Sequence, residues 1–280
     1  MLGDSPLVSI VIPMYNAERY ILETIESVIA QTYKKWELLV VDDCSTDNSR
    51  SLVKGMSEKD SRIKLINSDF SFGGPAKPRN IGIEHSQGKY IAFLDSDDIW
   101  LEDKLDIQII IMEKQGYNFT STNILNVDES LHSMHKSYLL SRFLRKFSRK
   151  NSSCDLMKNS FIATSSVIVE KKVMSDFSEE KDSISVEDLC LWLTLFNRED
   201  IKYKYIQKKL LKYRVLDTSI SARGIKYKQE TKANLCILKF ILNNNKFDTI
   251  GCYYAYSFKL IVMFSLKSLF RYRPFSKIKG

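Results

Sequence analysis

Three carboxylates occur within four residues in the segment Asp95-Ser96-Asp97-Asp98. The preceding run, residues 89–94, is apolar, β-branched and aromatic and follows a glycine, which is typical of a strand. Carboxylates this close repel one another unless a positive charge lies among them. Mn²⁺ and Mg²⁺ prefer oxygen ligands, and Mg²⁺ commonly binds one or two protein carboxylates together with substrate phosphates. The segment therefore predicts a strand end that holds Mn²⁺ or Mg²⁺ and a phosphorylated ligand, or alternatively a solvated acidic turn that caps the next helix.

Strands and helices alternate around these acids. Buried strands are predicted at residues 7–12 and 36–41, and further strands at 62–66 and 89–94. Helices are predicted at about 17–31, around 52–56, and at about 78–85 and 101–114. This alternation predicts parallel βαβ units in one α/β sheet, with ligands bound beyond the carboxyl ends of the strands. Polar residues do collect at those ends: 13–16 after the first strand, 42–43 after the second and 95–98 after the fourth. The sequence contains neither a GxGxxG fingerprint nor a P-loop.

The second half of the chain has a looser pattern. Further strands are predicted at about 118–123, 161–169 and 209–215, and Glu187 and Asp188 precede an apolar helix. Residues 138–150 are basic and amphipathic, and residues 252–275 mix aromatic with basic side chains. Both compositions suit an anionic membrane surface, although packing within the protein's own core is the alternative for each.

Composition limits the classes of partner. The 280 residues carry a formal charge of +8 and a pI near 9.0, which favours an anionic ligand or surface. No nucleic-acid-binding motif occurs, so no nucleic-acid partner is predicted. The five cysteines form no CxxC pair, which favours reduced thiols and a cytoplasmic setting over zinc or disulfides. The sequence starts without the basic region of a signal peptide and has no uninterrupted apolar stretch of bilayer length.

Six segments in their order resemble family 2 glycosyltransferases of the bacterial cell-surface polysaccharide type. They are VSIVIPMYNAERYILETIESVIAQ, ELLVVDDCSTDNS, PRNIGI, GKYIAFLDSDD, VEDLCLW and YRVLDTSIS, between residues 8 and 221. The resemblance implies an α/β GT-A fold, that is, a Rossmann-like nucleotide-binding mixed sheet flanked by helices. The implied domain spans residues 1–222, with a nucleotide-sugar-binding half at 1–116 and an acceptor half at 117–222. Residues 223–280 are predicted to form a C-terminal helical extension that contacts membrane.

The resemblance also implies roles for individual residues. Asp97 would ligate Mn²⁺ or Mg²⁺, assisted by Asp95. The nucleotide-sugar donor would be bound by Pro13, Tyr15, Glu18, Asp42, Asp43, Arg79, Asp95 and Ser96. By the resemblance, Asp43 would contact the uracil, Asp42 would lie near the ribose and Arg79 would contact the diphosphate. Carboxylates suit the N–H of a pyrimidine or a ribose hydroxyl, and a guanidinium suits phosphate oxygens. For Asp42 and Asp43 the alternative is that one of them only caps the following turn.

The general base implied by the resemblance is Asp188, with Glu187 as its competitor for that role. Both could instead be acids favoured by a helix N-terminus. Two further site residues are suggested by position. Trp192 would shape the acceptor site, with a core position as the alternative, and Arg214 is a candidate contact for the diphosphate. In one departure from the family pattern, Leu216 stands where a histidine is often found, so any metal or phosphate contact from that histidine is absent.

The implied activity is inverting transfer of a sugar from a nucleotide-sugar, by expectation a UDP-sugar, to an acceptor hydroxyl. The expected acceptor is a lipid-linked or free oligosaccharide in capsule or lipopolysaccharide O-antigen synthesis. The expected location is the cytoplasm, peripheral on the cytoplasmic face of the inner membrane. The alternative from another class is a non-catalytic nucleotide-sugar-binding scaffold, against which the intact Asp95, Asp97 and Asp188 argue.

Overall fold

The computed structural model describes residues 5–134, 156, 162–180, 183–216 and 226–244, with the side chains of the last range described from residue 231. Its strands are β1 (Val8–Met14), β2 (Trp36–Asp42), β3 (Ile63–Asn67), β4 (Tyr90–Phe93), β5 (Ile99–Trp100), β6 (Phe119–Val127), β7 (Ile168–Glu170) and β8 (Tyr203–Arg214). Its longer helices are α1 (Ile21–Ile29), α2 (Ser49–Ser57), α3 (Ala76–His85), α4 (Lys104–Gln115), α5 (Glu187–Phe196) and α6 (Lys226–Asn243).

The strands form one mixed sheet in the order β3-β2-β1-β4-β7-β6-β8-β5. Strands β3, β2, β1 and β4 run parallel, which places their carboxyl ends on one edge. The antiparallel strand β7 joins this parallel half to β6, and β8 pairs parallel with β6 and antiparallel with β5. The predicted mixed sheet flanked by helices is therefore confirmed.

The sheet is covered on both faces, which explains why β1, β2 and β4 are buried along their whole length. On one face, alternate residues such as Ile10 and Ile12 pack with the buried stripe of α1, including Ile21 and Ile25. On the other face, residues such as Phe93 pack with helices α5 and α6. Alternation of side chains along each strand assigns successive residues to the two cores.

Helix α6 lies beyond the predicted domain boundary at 222/223, yet its buried side chains share a core with α5. Ile237 and Ile241 lie in the same apolar core as Trp192 and Leu193. This part of the predicted C-terminal extension therefore packs as core, whereas residues 138–150 and 252–275 lie outside the described residues. The boundary itself stays a prediction.

Two further predictions differ from the structure. The short strand β5 is missing from the sequence prediction, because a two-residue pairing with β8 has no periodicity of its own. Cys190 on α5 and Cys236 on α6 are joined by a disulfide, with Cα atoms 5.9 Å apart. The expectation of reduced cysteines is therefore wrong for this pair, whose members are 46 residues apart and meet only through the packing of two helices.

Among the described residues, no helix has the length and apolar character needed to cross a bilayer.

Candidate active site

The loops after β1 and β2 are bonded to each other and frame one side of the sheet edge. Asn16 adopts a left-handed backbone with φ of 47°, and its side-chain oxygen accepts the Thr46 N–H at 2.8 Å. Glu18 accepts both the backbone and side-chain N–H groups of Asn48, at 2.9 and 2.8 Å. Of the predicted pocket residues here, Glu18 thus braces the two loops. Pro13 is buried within β1, and Tyr15 is exposed directly after it.

The neighbouring acids Asp42 and Asp43 have different surroundings. The Asp42 carboxylate is fully buried and accepts from Arg50 at 2.6 Å and from the Ser45 N–H at 3.3 Å. This geometry matches the turn-capping alternative for Asp42, and its predicted ribose contact stays a prediction. Asp43 accepts the Phe72 N–H at 2.8 Å and the Ser71 hydroxyl at 3.2 Å. Burial raises the Asp43 pKa, and these hydrogen bonds oppose that rise.

Arg79 connects the acids after β4 with the acids of α5. It projects from α3, is only 4 % exposed, and donates to Asp95 at 2.7 Å and to Glu187 at 3.0 Å. The Cζ atom of the Arg79 guanidinium lies 5.2 Å from the centroid of the Phe177 ring. Asp95 and Glu187, which are 92 residues apart in the chain, are therefore held together by one buried cation.

A turn at Thr164–Ser166 makes a second connection between the same clusters. The Ser165 hydroxyl accepts the Asp95 N–H at 3.0 Å, and the Thr164 hydroxyl donates to Asp188 at 3.2 Å. Neither residue is predicted from the sequence, because a short polar run inside a predicted strand carries no recognisable motif. Asp95 and Asp188 consequently lie at one site.

Asp188 has an environment suited to proton transfer near neutral pH. Burial and the negative charge of Glu187 raise its pKa, Arg79 and the Thr164 hydroxyl lower it, and the result is a pKa of about 6. A base with a pKa near the working pH combines the correct charge state with a useful affinity for the proton. Glu187 is buried against Arg79, whereas Asp188 is only partly buried. The geometry thus separates an anchoring acid from an accessible one.

The segment at 95–98 is held by Arg214 at the end of β8. Arg214 is 4 % exposed, and its guanidinium donates to the Asp97 backbone oxygen at 2.9 Å and to the Glu23 carboxylate at 2.7 Å. The Arg214 backbone N–H donates to Asp98 at 3.0 Å. The predicted phosphate contact of Arg214 stays a prediction, while the observed contacts position the acidic turn. The Ser96 backbone oxygen accepts the Thr24 hydroxyl at 3.1 Å.

Asp97 is the best candidate for a metal ligand. Burial first, and then the neighbouring charge of Asp95, raise its pKa to about 6. Among the described residues no lysine or arginine side chain forms a salt bridge with Asp97, and no group of three acidic, histidine or cysteine side chains could enclose an ion. A carboxylate without a salt-bridge partner, such as Asp97, fits an ion that takes its other ligands from substrate phosphates and water. Leu216, at the position of the absent histidine, is buried.

Trp192 belongs to the core. It is 1 % exposed, and its ring lies 5.3 Å from Phe119 and 5.9 Å from Phe177. Because Phe177 also faces Arg79, the tryptophan supports the site from beneath. The geometry favours the core alternative over a direct contact with an acceptor.

Comparison with known proteins identifies the family of this chain. Residues 9–177 match the model of the family described as Glycosyl transferase family 2. The chain belongs to this family. It is 36 % identical over 223 residues to the UDP-Glc:alpha-D-GlcNAc-diphosphoundecaprenol beta-1,3-glucosyltransferase WfgD of Escherichia coli, covering 80 % of this chain and 83 % of WfgD.

Solved structures show that this family 2 chain has the GT-A fold. The structure of S. aureus TarS 1-349 in complex with UDP-GlcNAc superimposes with a TM-score of 0.64 at 20 % identity. The match covers 84 % of this chain and 66 % of the TarS chain, so this chain spans just under two thirds of that TarS fragment. The mannosyltransferase PcManGT from Pyrobaculum calidifontis, in complex with GDP-Man and Mn2+, gives a TM-score of 0.60 at 16 % identity, over 96 % of this chain and 81 % of that chain. The predicted family and fold are thereby confirmed.

Proposed function

We propose that this family 2 glycosyltransferase transfers one sugar, with inversion, from a UDP-sugar to a hydroxyl of a lipid-linked oligosaccharide during synthesis of a bacterial cell-surface polysaccharide such as capsule or O-antigen. The observation that carries the proposal is the Arg79 bridge, which joins Asp95 of the acidic turn to Glu187, the neighbour of Asp188. In this proposal the buried Arg79 lies between the acidic turn that begins at Asp95, which binds the diphosphate with a metal ion, and Asp188, the candidate base.

The donor lies, in this proposal, along the carboxyl ends of β1, β2 and β4. Tyr15 contacts the nucleoside, and Asp43 faces the base edge. The Asp43 carboxylate already accepts from Ser71 and Phe72, and a carboxylate, with about four lone-pair sites, can accept a ligand N–H as well. The family member WfgD uses UDP-Glc by its name, which supports a UDP-sugar but does not identify the sugar for this chain.

The chemical step is a single displacement at the anomeric carbon. The acceptor oxygen forms a bond to that carbon on the face opposite the diphosphate, and the bond from carbon to the diphosphate oxygen breaks with its electron pair. Asp188 accepts the proton that the acceptor hydroxyl loses. Its pKa of about 6 leaves it mostly ionised at pH 7 and still basic enough for this task.

Asp97, with Asp95 beside it, would hold Mn²⁺ or Mg²⁺ together with the donor diphosphate. Such an ion supplies charge stabilisation to the departing diphosphate. The protein contributes a preset arrangement, because Arg214 and the Thr164–Ser166 turn hold the acidic segment from two directions. Preorganised charges of this kind stabilise a transition state without reorganisation during the reaction.

The acceptor and the membrane contact rest on different support. WfgD acts on a diphosphoundecaprenol-linked acceptor by its name. The basic and aromatic residues 252–275 lie outside the described structure and keep their predicted role at the cytoplasmic face of the inner membrane. Replacing Lys259, Lys267, Arg271 and Arg273 with glutamine should reduce pelleting with anionic liposomes and leave donor turnover intact. Unchanged pelleting would count against membrane contact through this segment.

A donor panel tests the catalytic proposal. Purified protein is incubated with UDP-Glc, UDP-Gal, UDP-GlcNAc, UDP-GalNAc and GDP-Man, with and without a GlcNAc-diphosphate-lipid acceptor, and products are followed by mass spectrometry. We expect turnover of a UDP-sugar that falls by a factor of about 10² to 10⁴ in Asp188→Asn, while UDP affinity changes less than about twofold. The matched control is Glu199→Gln, an exposed acid in the turn after α5. UDP binding without turnover in the wild type would favour the scaffold alternative.

A further inference from the structure

Two aromatic rings stand exposed beside the carboxyl ends of the parallel strands. Large apolar side chains exposed in the described part of the chain are Tyr15, Phe70, Ile110, Leu235 and Leu242. Tyr15 is 53 % exposed and Phe70 is 64 % exposed, the largest fraction in this set. A planar ligand that covers such a ring binds favourably, because it removes aromatic surface from water.

The sheet order places the strands that lead to these two rings on either side of β2, which leads to Asp43. Strand β2 lies between β3 and β1, and all three run parallel. Asp43 follows β2 directly, Tyr15 follows β1 directly, and Phe70 comes three residues after the end of β3. Adjacent strands are about 4.8 Å apart, so β1 and β3 are separated by roughly 10 Å. A flat ring above Asp43 would fit between side chains rising from these two flanking positions.

The loop that carries Phe70 is anchored to the same acid. Asp43 accepts the Phe72 N–H at 2.8 Å and the Ser71 hydroxyl at 3.2 Å, so both of its oxygens hold this loop. A further contact joins the Cys44 sulfur to the Ser68 oxygen at 3.3 Å. The Phe72 ring, 4.7 Å from the Phe70 ring, supports it from one side. Phe70 is therefore exposed on a loop that is tied down immediately beside it.

We propose that Phe70 forms the second wall of the nucleobase pocket and stacks on the pyrimidine ring of the donor opposite Tyr15. This inference rests on the proposed function, because it names the residue that recognises the base of the same donor. Asp43 has two tasks in this arrangement: its bonds to Ser71 and Phe72 hold the wall, and its remaining lone pairs face the base edge. Stacking on an aromatic side chain favours a planar base without selecting among bases, so the selection falls to the edge contacts.

Calorimetric titration with two probes separates stacking from the other contacts. UDP carries the base, whereas ribose 5-diphosphate lacks it and keeps the sugar and phosphates. We expect Phe70→Ala to weaken UDP binding about tenfold, in keeping with the stacking contribution of one base, and to change ribose 5-diphosphate binding less than twofold. Phe70→Trp should retain UDP affinity within about twofold. Ile110→Ala, another exposed apolar residue on α4, is the control and should leave both affinities unchanged.

Three results overturn the inference. If Phe70→Ala leaves UDP affinity unchanged while the wild type binds UDP and turns over a UDP-sugar, the stacking role is wrong and the proposed function stands. If both probes lose affinity equally, Phe70 only maintains the loop. If the wild type binds ribose 5-diphosphate but gains nothing from the base of UDP, both the pocket and the choice of a uridine donor are wrong.

Discussion

The guanidinium of Arg79 donates to the carboxylate of Glu187 at 3.0 Å, and both side chains are buried. A buried cation of this kind holds its partners strongly, because removing one member leaves an uncompensated charge. Glu187 is thereby committed to Arg79, which leaves its neighbour Asp188 as the acid available to an acceptor. The pair also sets the electrostatic environment of Asp188, since Glu187 raises its pKa and Arg79 lowers it.

Glu187→Gln should shift the acidic limb of the pH profile to lower pH. With the negative charge of Glu187 removed, the Asp188 carboxylate is easier to ionise, and its pKa falls below about 6. The limb of kcat/KM against pH is measured at saturating Mn²⁺, so that titration of Asp97 does not contribute. Glu180→Gln, an exposed acid outside the bridge, is the control. A limb that stays in place or moves to higher pH would contradict the assignment of Asp188.

Thr164→Val should move the same limb in the opposite direction. The Thr164 hydroxyl donates to Asp188 at 3.2 Å and favours the ionised carboxylate, so its loss raises the Asp188 pKa above about 6. At pH 6 the variant should therefore lose more activity than it loses at pH 8. Thr164→Ser, which keeps the hydroxyl, should restore the wild-type profile, and Thr194→Val on the exposed face of α5 serves as control. A uniform loss at every pH would instead indicate a packing defect.

The parallel half of the fold could be predicted from sequence because each element carries its own signal. Strands β1, β2 and β4 are continuous apolar runs, and acids such as Asp43 and Asp97 follow them at a shared sheet edge. The connection from Asp95 to Asp188 depends instead on the antiparallel strand β7 and the Thr164–Ser166 turn before it. Such pairing between distant segments leaves no local periodicity, so only the resemblance to a family could suggest it.

Side-chain roles were harder to predict than positions, because neighbours in sequence face different partners. Asp42 and Asp43 are adjacent at the end of β2 and are both buried, but the alternation of a strand turns Asp42 toward Arg50 and Asp43 toward Phe72. Arg214 was predicted only as a candidate phosphate contact, and its bond to the Asp97 backbone depends on where β8 ends. A disulfide between α5 and α6 likewise follows from packing and from no spacing rule.

Asp97→Asn should abolish the metal dependence of nucleotide binding. The amide has nearly the same shape but lacks the charge that balances a divalent ion, so UDP affinity in Mn²⁺ should fall at least tenfold toward its value in EDTA. Calorimetric titration of UDP with and without Mn²⁺ measures this difference. Glu58→Gln, an exposed acid at the end of α2, should keep the full metal effect. Undiminished Mn²⁺-dependent binding by Asp97→Asn would exclude Asp97 as the ligand.

Arg214→Lys should weaken metal-dependent donor binding without removing catalysis. Lysine keeps the positive charge but lacks the planar fork that reaches the Asp97 backbone oxygen, the Glu129 backbone oxygen and the Glu23 carboxylate together. With the acidic turn less firmly held, we expect the apparent Mn²⁺ affinity and the donor KM to worsen about tenfold, and kcat at saturating Mn²⁺ and donor to stay within about threefold. Arg198→Lys replaces a comparable arginine, bonded to Asp200 at the surface, and should change neither constant. A large fall in kcat with unchanged Mn²⁺ affinity would show that Arg214 acts on the reacting groups directly, and a lower melting temperature with unaltered kinetics would reduce its role to stability.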